Sequence, residues 1–401
     1  MIDASRRVGL LRHDKGDSRV QTIYVLAVQI EHLAEHGVPV VSQLPTPAMV
    51  VDASVVKSNL GRLAEYAGAH GLRVRPHTKT HKSRRLAELQ LAMGACGLTV
   101  AKAGEAQIMA EVTDDLLIAY PMVDPARNLS LATLAHRATV RIAIDSVEAA
   151  EALEQAAQHA GATLDILIDL DVGMGRTGVQ SGTAALELAQ LVDRFPRLRL
   201  TGLFCYPGHV WQRPDDQGPF LRAIADALQE ALDLWKRHGL QAAIVSGGST
   251  PTAYQSHLMP QLTEIRPGTY IFNDMNTVRG GFCAIEQCAA RIVCTVVSNA
   301  VPGKVVLDAG TKTLTSDRCI PFPESGHGYI VQYPEARIVR LSEEHGEVDI
   351  TGCDAVPKIG ERVTVIPNHI CPCVNLQDDL WLLHDDGGIE QLPVDARGKS
   401  C

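Results

Sequence analysis

Residues 140–171, VRIAIDSVEAAEALEQAAQHAGATLDILIDLD, decide the fold. A β-branched run (VRIAID, 140–145) is followed by an amphipathic stretch (SVEAAEALEQAAQHAG, 146–161) and a second apolar run (DILIDLD, 165–171). Near-continuous apolar strands separated by a helix indicate parallel strands whose sheet is covered on both faces. The same texture extends in both directions. Upstream lie AMVVDA (48–53), RVRPHT (73–78), LTVAKA (98–103) and DLLIAY (115–120), with SVVKSNLGRLAEYAGAHG (54–71) as another amphipathic stretch. Downstream lie LTGLFCY (200–206) and AIVSGGS (243–249). Eight such runs over about 200 residues are the pattern of a (β/α)8 barrel. An open doubly wound sheet is disfavoured, because no GxGxxG fingerprint follows an early strand.

Past residue 280 the texture changes. ARIVCTVVSNA (290–300), KVVLDAG (304–310), EVDITG (347–352), ERVTVIPN (361–368) and IEQLPV (389–394) are short, strand-like and broken by Gly, Pro and Asp. They predict an all-β domain of about a hundred residues. The reading is an N-terminal arm at 1–44 packing on the β domain, loosely held over 1–25, a barrel at 45–280 and the β domain at 281–401.

Composition bounds the function. The 401 residues are 46% hydrophobic and 21% charged, too apolar for a disordered chain. A net charge of -9 excludes the basic footprint of a nucleic-acid-binding protein. The run IYVLAVQI (23–30) is too short to span a bilayer, so a membrane partner is not expected and a cytoplasmic location is. Ten cysteines are too dilute for a disulfide scaffold and read as reduced thiols, one or two of them possible ligands.

In a barrel, reactive groups gather at the C-terminal strand ends. Those ends carry His77 and Lys79, Lys102, Tyr120, Asp145, Asp171 with Arg176, Tyr206 with His209, and an SGGST turn. RPHTKTHK (75–82) closes the second run of the series. A basic loop on an acidic protein is the plain reading, but a lysine at a barrel mouth among other cations loses basicity and offers a neutral amine. That is what condensation with an aldehyde requires. SGGSTPT (246–252) closes the eighth run, where Gly247, Gly248, Ser249 and Thr250 supply backbone and hydroxyl donors to an anion. RPGTY (266–270) adds Gly268 and Thr269. A lysine at one strand end and a phosphate site at another suggest pyridoxal phosphate. In PNHICPCVNLQD (367–378), His369 and Cys371 are two apart and would project the same way from an extended segment, a soft pair suited to Zn2+. Cys373 continues the alternation as a third ligand, a packed thiol or neither.

The RPHTKTHK, DVGMGRTG, SGGST, LDAGTKTLTSD, EEHG and NHICPCVNLQD segments together resemble the D-threonine aldolase and D-serine dehydratase family over residues 45–395. The resemblance implies an alanine-racemase-like pyridoxal phosphate fold, a (β/α)8 barrel plus a β domain. It implies Lys79 as the lysine bound to the cofactor aldehyde, Arg176 near the cofactor ring and Tyr206 in the active site. SGGST and Gly268–Thr269–Tyr270 match the phosphate binders, and His369 with Cys371 match the metal ligands. Aldolases of the family typically have aspartate where Cys371 stands, and the dehydratases have cysteine with zinc. The sequence Tyr206-Pro207-Gly208-His209 departs from the Tyr-His-Gly pattern that the family has there. The implied activity is a metal-dependent lyase of D-3-hydroxy amino acids, an aldolase giving glycine and an aldehyde, with a dehydratase giving a 2-oxo acid and ammonia as the alternative. A racemase and a non-catalytic cofactor carrier rank lower, since neither needs the metal pair. Zinc is favoured, with manganese and magnesium open. The base is a metal-bound water, His77, His81 or His209. A homodimer is implied, with a small D-amino acid as the partner molecule.

Overall fold

In the computed structural model, which describes residues 40–401, the unit at 140–171 forms strand β5 (Thr139–Ile144), a helix (Val147–Ala160) and strand β6 (Leu164–Asp169). Ser146 caps the helix by accepting from the Ala149 N–H, and Gly161 ends it at φ +68, a left-handed conformation that glycine adopts without strain. Ala149, Ala150, Leu153, Ala156 and Ala157 recur at helical spacing and form its buried face. Full burial of Leu153 alone contributes about 1.5–3 kcal/mol.

Around this unit an eight-stranded parallel sheet forms from β2 (Arg73–Val74), β3 (Leu98–Val100), β4 (Asp115–Ile118), β5, β6, β7 (Leu198–Phe204), β8 (Ile244–Gly247) and β9 (Glu264–Ile265). The spatial order is β2-β9-β8-β7-β6-β5-β4-β3. The barrel closes where Cys96 N donates to Val74 O at 2.9 Å and Thr99 N to Pro76 O at 2.9 Å, extended by a parallel bridge between His77 and Thr99. Leu117, Ala143, Leu167, Phe204 and Ile244, one from each of five successive strands, pack together inside the barrel. The Arg266 guanidinium lies 3.7 Å over the Phe204 ring. Near the N-terminal ends of the strands Arg75 bonds Glu264 and Asp115, Arg141 bonds Asp115, and Arg199 bonds Asp165.

The first strand of the sequence series belongs elsewhere. AMVVDA forms β1 (Ala48–Asp52), which pairs antiparallel with β10 (Ala290–Ser298) and parallel with β16 (Asp379–Leu383) in a second, nine-stranded sheet. That sheet also holds β11 (Lys304–Leu307), β12 (Tyr329–Ile330), β13 (Arg337–Leu341), β14 (Gly346–Asp349), β15 (Arg362–Ile366) and β17 (Ile389–Pro393). A buried apolar run reads alike in either sheet, and only its pairing partners tell them apart. The barrel count therefore shifts by one. RVRPHT is its first strand, Tyr206 follows the sixth, SGGST the seventh, and the RPGTY turn follows the eighth, Glu264–Ile265, a strand of two residues that periodicity cannot register.

Asp52 ends β1 and caps the helix Ala53–Ala69, accepting from Ser54 N at 2.9 Å and Val55 N at 3.0 Å. Most of the expected arm lies outside the described residues, as does the run at 23–30. Its described end packs on the second sheet: Arg362 donates to the carbonyls of Val41 and Leu44, and Leu44 joins Ala48, Val50 and Val293 in an apolar cluster. Among the described residues no helix is long and apolar enough to cross a membrane.

Candidate active site

Lys79 sits in the short turn Thr78–Thr80 that follows the first barrel strand. The turn is fastened at both ends. His77 N donates to Pro267 O at 3.0 Å, and His81 N and Lys82 N both return to Thr78 O. The two lysines of the KTHK run have different environments. Lys82, with φ +53, buries its ammonium against Glu105 at 2.5 Å, and the other Glu105 oxygen accepts from Ala101 N. Lys79 is exposed, and its ammonium has no bonded partner among the described residues. Lys79 is thus the available amine of the pair.

The three candidate histidines separate in the same way. His77 is buried; burial, then the charges of Lys79 and Arg266, hold its imidazole well below the usual range, so it is neutral. Its Nδ1 faces Lys79 N at 3.4 Å, which puts the ring proton on Nε2. His81 is fully buried, accepts from Ser83 N at 3.2 Å and meets Gln90 Oε1 at 3.1 Å, so both ring nitrogens are engaged and it does not face the mouth. His209 has neither nitrogen bonded among the described residues, and its Nδ1 is buried. Its ring lies so close to Gly173 that a Cβ there would stand 3.0 Å from Nε2.

Gly173 belongs to the DVGMGRTG loop, which Asp171 shapes by accepting from the N–H groups of Gly173, Met174 and Gly175. Gly178 N adds a bond to Asp145, and Thr177 donates to the buried Asp169. The loop carries Arg176 to 4.8 Å above the Tyr206 ring, so two residues read separately from the sequence stack together. Lys102 lies 3.2 Å over the Tyr120 ring at the neighbouring strand ends.

At the seventh and eighth strand ends two turns offer backbone donors. Ser249 and Thr252 bond each other through hydroxyl and N–H groups, and Gly248 takes φ +79. The N–H groups of Gly248, Thr250, Gly268 and Thr269 donate to no protein acceptor among the described residues. Gly268 touches the lysine turn: a Cβ there would stand 2.8 Å from Thr80 Oγ1 and 3.2 Å from His77 O. The Tyr270 side chain points inward and is buried, its hydroxyl 3.4 Å from Gln90 Nε2, so only its backbone serves the turn.

The His-x-Cys pair comes from the second domain. It does not lie on an extended segment, as its alternation suggested. His369 is the extended N-cap of the short helix Ile370–Asn375, and Cys371 lies in its first turn. Asp274 secures this segment by accepting from Ile370 N at 3.1 Å while its other oxygen caps the helix Met275–Arg279. Cys371 Sγ reaches the barrel, at 3.2 Å from Thr80 Oγ1 and 3.6 Å from Thr269 Oγ1. Burial would raise the Cys371 thiol, but His369, Thr80 and Lys79 outweigh it and lower it, favouring the thiolate that binds metals. Burial would lower His369, but Cys371, Asp274 and Asp317 outweigh it and raise the imidazole to about 9. Cys373 is fully buried, its Sγ 3.3 Å from the carbonyls of Leu314 and His369, and burial keeps it a thiol. Its surroundings are those of a packed thiol.

Sequence reasoning missed Asp317, whose Oδ2 lies 2.9 Å from His369 Nδ1. A carboxylate behind a histidine fixes the ring and leaves Nε2 for a cation. It also missed Arg266, buried at the barrel centre and bonded to Ser246 Oγ and Cys205 O, each at 2.7 Å. An acidic residue in TLTSD and an arginine in RPGTY carry no periodic signal, and only the fold brings them inward.

Residues 51–276 match the family described as "Alanine racemase, N-terminal domain", and residues 289–383 match "Putative serine dehydratase domain". The chain belongs to this alanine-racemase-like family. A D-threonine aldolase of Arthrobacter sp is 30% identical, over 92% of this chain and 96% of that one. The crystal structure of a D-threonine aldolase from Filomicrobium marinum superposes with a TM-score of 0.82 at 30% identity, covering 89% of this chain and 97% of that one. A D-threo-3-hydroxyaspartate dehydratase with one cysteine changed to alanine, described as metal-free, superposes at 0.81 with 29% identity, covering 88% of this chain and 97% of that one.

Proposed function

We propose that this chain is a pyridoxal phosphate- and metal-dependent lyase of D-3-hydroxy amino acids that cleaves the Cα–Cβ bond as an aldolase. The observation that carries the reading is the meeting of Lys79, through its neighbour Thr80, with Cys371 of the second domain at 3.2 Å. An amine suited to an aldehyde and a thiolate suited to a cation face one mouth. The cofactor fits the residues present: the N–H groups of Gly248, Thr250, Gly268 and Thr269, without protein acceptors among the described residues, suit a phosphate, and Gly268 packs directly on the lysine turn, where a Cβ would stand 2.8 Å from Thr80 Oγ1. Arg176, stacked on Tyr206, lies on the same rim. When bound, pyridoxal phosphate supplies an aldehyde that condenses with amines and a ring that accepts the electrons released at the substrate Cα. His369 and Cys371 are the chain's ligands for a divalent cation, zinc by donor softness, whose chemistry is polarisation of a hydroxyl oxygen.

The chain's own groups account for the proton transfers. Of the three candidate histidines, His77 and His81 have their acceptor nitrogens engaged, which leaves His209 as the one suited to take the proton of the β-hydroxyl. The Cα–Cβ pair then stays with Cα, the β-carbon leaves as an aldehyde, and Lys79 returns a proton to Cα to give glycine. A second reading, loss of water to a 2-oxo acid and ammonia, is favoured by one residue, the cysteine at 371. In the dehydratase mentioned above, a histidine two positions before the substituted cysteine has also been replaced by alanine, so that enzyme has the same His-x-Cys spacing. Incubation with D-threonine and D-serine, followed by assays for glycine, acetaldehyde, pyruvate and ammonia, tests the proposal. Glycine with acetaldehyde supports it. Ammonia with a 2-oxo acid establishes the second reading, and no product from either substrate overturns both.

A further inference from the structure

The turns Thr78–Thr80 and Thr269–Ile271 stand almost two hundred residues apart in the chain, yet one buried side chain joins their supports. Gln90, on the helix Arg84–Ala92, is 2% exposed. Its Oε1 meets His81 Nε2 at 3.1 Å, and its Nε2 meets Tyr270 Oη at 3.4 Å. The directions follow from one donor. Ser83 N donates to His81 Nδ1, so the ring proton sits on Nε2 and is given to Gln90 Oε1. The amide nitrogen must then face Tyr270, whose oxygen accepts. Burial holds His81 at about 4, so this neutral tautomer persists at neutral pH. His81 closes the lysine turn through its N–H to Thr78 O, and Tyr270 is the central residue of the other turn.

We propose that Gln90 is a positioning residue that fixes the spacing between the Lys79 amine and the phosphate-binding N–H groups of Gly268 and Thr269. On the outer side the same two turns are joined by Cys371, which meets Thr80 and Thr269. An apolar residue at 90 would fill the core as well and demand no partners. A buried amide with both ends satisfied adds orientation, which is what a directional network provides. This inference rests on the cofactor reading above.

The test compares wild type, Gln90→Met, Gln90→Glu and Tyr270→Phe. The measurements are pyridoxal phosphate affinity by fluorescence titration of folded apoprotein, visible circular dichroism of the lysine-bound cofactor, and melting temperature. Gln90→Met is expected to weaken binding about 10- to 100-fold and to reduce the visible dichroism, and Tyr270→Phe to do so about 3- to 10-fold. Gln90→Glu keeps an acceptor for His81 and lets the Tyr270 hydroxyl donate, so it should stay within about threefold of wild type. A Gln90→Met protein that melts earlier but binds with wild-type affinity and dichroism overturns the proposal, leaving Gln90 merely structural. Should Gln90→Met not fold, wild-type affinity and dichroism in Tyr270→Phe overturn it instead. A wild-type protein that forms no lysine-bound cofactor overturns the cofactor reading, and this inference with it.

Discussion

Replacing Gly268 with alanine tests the contact between the phosphate turn and the lysine turn. The backbone there has φ -117 and ψ -58, which alanine adopts without strain, so the effect is purely one of space. The added Cβ would stand 2.8 Å from Thr80 Oγ1, 3.2 Å from His77 O and 3.3 Å from His77 Cβ. None of these atoms is the loose end of a flexible side chain. Thr80 is fully buried and its hydroxyl also meets Cys371, while His77 O is backbone. The turns must move apart by some tenths of an ångström, and such overpacking costs about 1–3 kcal/mol. The free protein relieves the clash by separating the turns; binding the cofactor requires them back. The cost therefore falls on affinity, as a loss of about 5- to 150-fold in Kd for pyridoxal phosphate. Fluorescence titration of apoprotein reads it directly. Gly68→Ala is the control: nothing lies within 4 Å of its added Cβ, and this substitution in the last turn of the helix should stabilise by up to about 0.5–1 kcal/mol while leaving Kd unchanged. A Gly268→Ala protein with wild-type Kd would refute the claim that the two turns form one site.

Lys79→Ala should remove the visible absorbance of the bound cofactor and leave a folded protein. Lys82→Met should instead cost about 3–5 kcal/mol in chemical denaturation, because it strands Glu105 unpaired in the interior. A chelator should abolish turnover while cofactor absorbance persists, and Asp317→Asn should weaken metal affinity about 10- to 100-fold, read by metal titration. Cys373→Ala should leave the metal content unchanged. Burial pushes Asp169 up to about 6, against about 3.9 in an unfolded chain, so the folded state holds this proton more tightly and the group favours folding as pH falls through that window. Asp169→Asn should then stabilise by about 1–3 kcal/mol at pH 7.5, with the gain gone by pH 4; an equal effect at both pH values counts against a buried carboxylate.

The barrel was legible because its helices have long amphipathic faces and its strands apolar runs, and the segment 140–171 carries both. The misplacement of β1 has a physical cause. AMVVD is buried against neighbours on each side, and the choice between two sheets lies in partners more than two hundred residues away in the chain. The eighth barrel strand, two residues long, has no pattern to detect. At the site the sequence offered candidate residues but not which of them are engaged. Nothing in RPHTKTHK says that Lys82 meets Glu105, that His81 meets Gln90, or that Lys79 is left available. Those assignments depend on residues brought in by other elements, as does the carboxylate of Asp317 behind His369.

The cysteine at 371 bears on the choice of reaction less than its donor type suggests. Its sulfur touches the hydroxyls of Thr80 and Thr269, and both can donate to an anionic ligand, whether thiolate or carboxylate. The barrel therefore presents the same surroundings to either ligand, and a cation held there would polarise a β-hydroxyl in both reactions. Cleavage and dehydration diverge at the proton acceptor. Cleavage needs a base for the hydroxyl proton, and dehydration needs one for the Cα proton, with the hydroxyl leaving as water. The proposed mechanism gives the second role to Lys79. The proposed mechanism gives the first role to His209, which has neither nitrogen bonded among the described residues and a ring held against Gly173 where a side chain would displace it. In the proposed mechanism an unbonded His209 has a use in cleavage that dehydration does not require, and on that ground the aldolase reading is preferred.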